Sequence, residues 1–87
     1  MTRNNESAED YLEAILMLSQ QKGLVRSIDI AHQMNYTKPS VSRAMSLLRE
    51  RGHIVMDKDG WITHTDTGRA IAERIYERHR LLTQWLT

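Results

Sequence analysis

Eighty-seven residues with no cysteine and a formal net charge of +1 describe one small domain, which buries only roughly 60% of the surface its unfolded chain exposes. That composition excludes a disulfide framework and a thiolate metal site, so any metal must be held by oxygen and nitrogen donors. The longest apolar run, AILML from Ala14 to Leu18, is far too short to cross a bilayer, and the opening MTRNNESAED is too polar for a signal peptide, so a soluble, cytoplasmic protein with no membrane partner is expected.

Ser7 followed by Asp10 resembles a capping box with aspartate in the place of glutamate, and it predicts a first helix over about 8–21 with Ala8, Tyr11, Leu12, Ile15 and Leu18 on one stripe. Lys22 and Gly23 supply a cationic end and a stop. Ser27 is placed to cap a short second helix in which Ile28, Ala31 and Met34 recur at helical spacing, ending near Asn35. Thr37 is placed to cap a third, where Pro39 is tolerated in the first turn and Val41, Ala44, Met45 and Leu48 face inward until Gly52. These two helices form a helix-turn-helix over about 27–51. After Gly52 the period changes: HIVM and WITHT are short β-prone runs separated by DKDG, a wing over about 53–65. Thr65 then caps a final helix over about 66–86. The expected fold is mainly α with a small β-hairpin, a winged helix-turn-helix domain spanning 1–87.

Charge is unevenly spread along this order. Residues 1–37 hold three basic against five acidic side chains, whereas residues 38–60 hold five basic against three acidic. The basic middle coincides with the third helix. With Val41, Ala44, Met45 and Leu48 inward, Pro39, Ser42, Arg43 and Ser46 project to solvent, small residues flanking one arginine. That pattern suits entry into the major groove of double-stranded DNA, with serines reaching phosphates or base edges and arginine gripping guanine O6 and N7. Thr37, Lys38 and Ser40 at the helix start and Lys58 at the wing tip extend the candidate DNA-binding set, although Asp57 and Asp59 weaken the field at Lys58. A solvated helix with mixed charge is the plain alternative.

The final helix raises a separate question. Ala72, Ile75, Tyr76, Leu82 and Leu86 share one side, and His79 falls near the middle of that apolar arc, where an imidazole needs partners for both ring nitrogens. On the first helix, Asp10 and Glu13 stand three residues apart, about 60° around the axis. If the two helices pack side by side, Asp10, Glu13 and His79 can converge on a hard or borderline divalent cation such as manganese or ferrous iron. Alternatively Asp10 complements the helix dipole, Glu13 is solvated, and His79 is a core histidine bonded to Glu13 or backbone. In the last turn, Leu81 and Trp85 point away from the His79 stripe and invite association.

Three segments, AEDYLEAILML, RSIDIAHQMNYTKPSVSRAMSLL and THTDTGRAIAERIYERHRLLTQWL, together resemble the N-terminal DNA-binding part of the diphtheria toxin repressor family of metal-dependent transcriptional repressors, and in particular its manganese transport regulator branch. The resemblance implies that Asp10, Glu13 and His79 bind the activating metal. It favours manganese over iron, because the manganese branch is similar to this chain in having aspartate at the position of Asp10, where the iron branch typically has methionine. Family members commonly carry a carboxylate where this chain has Thr83. They also complete the metal site with glutamate and histidine from a following helical dimerisation domain, which is absent from these 87 residues. The expected function is therefore that of the DNA-binding domain of a manganese-responsive repressor, homodimeric in its full-length form. Two alternatives remain: a winged-helix regulator without metal control, and a metal-dependent hydrolase using the same three residues, for which no substrate pocket, small-molecule substrate or glycine-rich phosphate loop is evident.

Overall fold

The computed structural model describes the backbone of residues 8–86 and side chains as far as residue 81. Helix α1 (Ala8–Lys22) is followed by α2 (Ser27–Met34), α3 (Lys38–Glu50), strands β1 (Ile54–Met56) and β2 (Ile62–His64), and α4 (Asp66–Leu86). Ser7 lies outside the described residues, as do the side chains of Leu82, Thr83, Trp85 and Leu86. No helix among the described residues is long and apolar enough to cross a membrane.

Helix α1 is the rod on which everything else is laid. Tyr11, Leu12, Ile15 and Leu16 are all buried on it, a broader face than a single stripe, because α2, α3, β2 and α4 all touch it. Each such side chain contributes about 1.5–3 kcal/mol when fully withdrawn from water. Val41, Met45 and Leu48 bring α3 against this core, and Ala72 and Ile75 bring α4. Ala72 is small enough for the two long helices to lie close.

The short helix α2 departs from its expected pattern in two ways. Its N-cap is Arg26 in an extended conformation, not Ser27, which is the first helical residue. The reason is Asp29, whose carboxylate reaches back to accept the Arg26 amide at 2.8 Å and also holds the Lys22 ammonium at 3.0 Å. Its apolar face is Ile30 and Ala31 with Met34, so Ile28, expected inward, is instead exposed. With this face inward Ile30 is fully buried in the core, on a helix that packs against both α1 and α3. Asn35 closes α2 in the left-handed region at φ 59°, which asparagine tolerates, and Tyr36 then tilts against Tyr11 with ring centroids 5.8 Å apart.

The hairpin pairs Ile54 with His64, Val55 with Thr63 and Met56 with Ile62. Asp57 shapes its turn by accepting the amides of Asp59 and Trp61, both at 2.9 Å. Val25 adds a bridge the sequence pattern does not announce, its carbonyl accepting the Ile62 amide at 2.8 Å, so that β2 is held from both sides. Thr65 does cap α4: its hydroxyl accepts the Gly68 amide at 3.1 Å and donates to the Gly52 carbonyl at 2.7 Å. Gly68 is required here, because a Cβ at that position would run into the backbone carbonyl of His53.

Candidate nucleic-acid interface and metal centre

The polar face of α3 forms because its apolar residues recur at 41, 45 and 48, which leaves the opposite side free. Lys38, Pro39, Ser42, Arg43 and Ser46 are exposed there. Thr37 is exposed and Ser40 half-buried, and their hydroxyls serve the helix itself: Thr37 accepts the Ser40 amide at 3.3 Å and donates to the Ser40 hydroxyl at 3.0 Å. Only their remaining hydrogen-bonding capacity is available to a phosphate. Lys58 is exposed at the tip of the hairpin, flanked by exposed Asp57 and Asp59.

Two clefts shape this face, and one of them includes a residue that helical periodicity assigned to the core. One of about 490 Å³ is lined by Ser42, Arg43, Ser46, Leu47 and Glu50. The other, of about 260 Å³, lies where the first turns of α2 and α3 meet and is lined by Ser27, Ile28, Lys38 and Ser42. The α2 contribution was hidden by the rotated register of that helix. Nearby, the Arg26 guanidinium stacks on Trp61 at 4.0 Å from the ring centroid, placing a cation at the foot of the wing. Two sites distant in sequence make this pair, and neither carries a spacing signal.

On the far side of the core, α1 and α4 form the most extensive helix pairing in the chain. It brings Glu13 and His79 together across 66 residues, with His79 Nδ1 2.8 Å from Glu13 Oε2. The exposures correct one expectation. Glu13 is only 13% exposed, while His79 is 54% exposed and stands at the rim of the helix pair, not in the middle of a buried arc. Ile75 is the last buried side chain described on α4, four residues before His79. Asp10, half-buried one turn before Glu13, does not complete a three-group cluster: among the described residues no three histidine, aspartate or glutamate side chains are gathered closely enough to hold a metal ion. The Glu13 and His79 contact, an acidic oxygen beside an imidazole nitrogen at 2.8 Å, is a hydrogen-bonded pair of two groups that are also metal donors by chemistry.

A second histidine, which spacing did not single out, ties the wing to the same helix. His64 Nε2 lies 3.0 Å from the Leu12 carbonyl, to which the neutral ring donates. Burial pushes its pKa below the usual 6.5, outweighing the opposite pull of that hydrogen bond. Asp29 is held below its ordinary 3.8 chiefly by the Arg26 amide, which outweighs the contrary push of burial, with Lys22 adding to the lowering.

Comparison with known proteins agrees with this architecture. Residues 5–62 match the family model described as iron dependent repressor, N-terminal DNA binding domain. The chain is 35% identical over 80 residues to the HTH-type transcriptional regulator MntR of Lysinibacillus sphaericus (strain C3-41), an alignment covering 92% of this chain and 58% of that protein. It is 35% identical over 80 residues to the regulator of the same name in Bacillus subtilis (strain 168), covering 92% and 56%. The chain thus spans little more than half the length of these curated relatives. Among solved structures, the manganese regulator SloR superimposes with a TM-score of 0.74 at 32% identity, over 93% of this chain and 36% of that one. NMB1585, a MarR family regulator from Neisseria meningitidis, does so with a TM-score of 0.70 at 22% identity, over 87% and 58%, a likeness of fold alone. These relatives are regulators, not enzymes, which sets aside the hydrolase alternative.

Proposed function

Because this chain belongs to the iron-dependent repressor family as its N-terminal DNA-binding domain, we propose that it reads operator DNA through α3 and couples that reading to a divalent cation shared by α1 and α4. Manganese is the first choice and ferrous iron the second, in keeping with the manganese regulator among its structural relatives and with a donor set of carboxylates and imidazole.

In this reading α3 enters the major groove. Arg43 grips guanine O6 and N7, Ser42 and Ser46 bond to base edges or phosphates, and Pro39 allows close approach. Lys38 and Lys58 neutralise phosphates, from the helix start and the wing respectively, with Thr37 and Ser40 as auxiliary donors. Small side chains beside a single arginine on an exposed helical face are what support this half.

One observation carries the metal half: the 2.8 Å contact that joins Glu13 on α1 to His79 on α4. A bound cation supplies there a positive charge to which both donors can bind together. Glu13 gives a carboxylate oxygen and His79 its Nδ1, and Asp10 adds a second carboxylate by a side-chain rearrangement one turn along α1. The coupling is a matter of differential affinity, since a cation favours the DNA-competent arrangement only as far as that arrangement binds it more tightly. The full-length protein would act in the cytoplasm as a homodimer on paired half-sites about one helical turn apart, or a multiple of that.

The same contact supports a second reading, in which the Glu13 and His79 hydrogen bond closes the helix pair with no ion at all. The experiment is a titration of Mn2+ into the chain, followed by the electron paramagnetic resonance of the free ion, alongside DNA affinity with and without Mn2+. Metal uptake that is lost in His79→Leu, together with tighter DNA binding in Mn2+, is expected. Equal DNA affinities in both conditions and no uptake would leave the metal-free regulator.

A further inference from the structure

Leu47 interrupts the polar face of α3. It is 45% exposed and lines the same cleft as Ser42, Arg43, Ser46 and Glu50. A single exposed leucine needs no explanation on most surfaces. This one, however, follows Arg43 by one helical turn, on the side of the helix presented to nucleic acid. An apolar side chain in that position gains only if an apolar group covers it, and the apolar group that base edges present in the major groove is the C5-methyl of thymine. Glu50 lines the same cleft, and its carboxylate disfavours a phosphate beside Leu47.

Resting on the reading of α3 as the groove helix, we infer that Leu47 is a specificity residue that covers a thymine methyl. Its position relative to Arg43 sets the register. Four residues advance about 6 Å along a helix, against about 3.4 Å per base pair, so the thymine stands about two base pairs from the guanine held by Arg43. The occupant is duplex DNA and not a second copy of the chain, because a partner seated on Leu47 would also cover Arg43, with which it shares the cleft.

The test selects duplexes from a random library with this chain in the presence of Mn2+, then replaces each thymine of the selected site singly by uracil, which removes only the methyl. One replacement is expected to weaken wild-type binding about fourfold, the factor a buried methyl is worth. Leu47→Ala should lose a comparable factor on the thymine duplex, become indifferent to that replacement, and melt at the wild-type temperature. Wild-type indifference to every replacement overturns the inference, as does a Leu47→Ala variant as sensitive as wild type at each position. A lower solution mass for Leu47→Ala with unchanged DNA affinity also overturns it, in favour of a contact between copies. Arg43→Ala separates the two levels of the argument: relaxed guanine selection with silent uracil replacements sinks Leu47 alone, whereas a wild-type chain that selects no sequence sinks the groove helix itself.

Discussion

The two working regions of this domain are built in opposite ways. The exposed face of α3 is local, since Pro39, Ser42, Arg43 and Ser46 lie within two helical turns of one another and need only the helix to be aligned. The junction of α1 and α4 is non-local, since Glu13 and His79 are 66 residues apart and meet only because the core forces two helices side by side. A local site survives small changes in packing; a non-local one registers them. That is the division the proposed regulated reader would need, with a locally built reading surface and a sensing contact whose geometry depends on the arrangement of whole helices.

Four measurements break or sharpen this contrast. The largest effect is expected from Leu12→Ala at the centre of α1, where losing a side chain only 1% exposed costs about 2–5 kcal/mol. Chemical denaturation should show it, and both regions should fail together because they share this rod. Next comes Arg43→Ala, which should cost about 1–3 kcal/mol of discrimination at one base pair, seen in binding to mismatched duplexes, with denaturation unchanged. His79→Leu should reverse that signature, losing at least the roughly 10–100-fold in Mn2+ affinity that even a supporting residue of a metal site commands. Its effect on stability should stay within about 1 kcal/mol, because the ring is more than half exposed.

The smallest effect is a pH dependence. His64 has a folded pKa below its unfolded value of 6.5, so the unfolded chain binds the proton first. Its contribution to stability is complete above pH 6.5 and is lost as the pH falls through the lowered value. His64→Gln, which keeps an N–H donor for the Leu12 carbonyl but does not titrate, should flatten that part of the slope in denaturation curves recorded between neutral and mildly acidic pH. An unchanged slope would mean that His64 does not carry the dependence.

What was legible in the sequence follows the same division. Thr37 and Thr65 as caps, the inward set on α3 and the hairpin turn at Asp57 to Gly60 are all encoded within a few residues, and each occurs in the structure. The pairing of Glu13 with His79 was legible as chemistry, but the depth of His79 was not. Periodicity assigns a side of the helix, whereas depth depends on how closely the neighbouring helix covers each position, and His79 is left more than half exposed. The register of α2 misled for a related reason. In an eight-residue helix, Ile28 and Ile30 are equally apolar, and the choice between them was made by the packing of α2 against α1 and α3, which no local pattern records. Arg26 over Trp61, the Val25 bridge and His64 on the Leu12 carbonyl are contacts between distant segments, each invisible to spacing.

The bridge from Val25 to Ile62 has a mechanical meaning. It fastens the root of the hairpin to the segment that leads directly into α2, with Arg26 clamped over Trp61 beside it. A pull on Lys58 at the tip would thus be passed to the foot of α2, and in the proposed reading the wing and the two helices would meet the duplex as one stiff claw. Misfit between tip and groove would then be taken up by curvature of the duplex, at an elastic cost that differs between flexible and stiff base steps. Flanking sequence that the claw never touches would be weighed all the same.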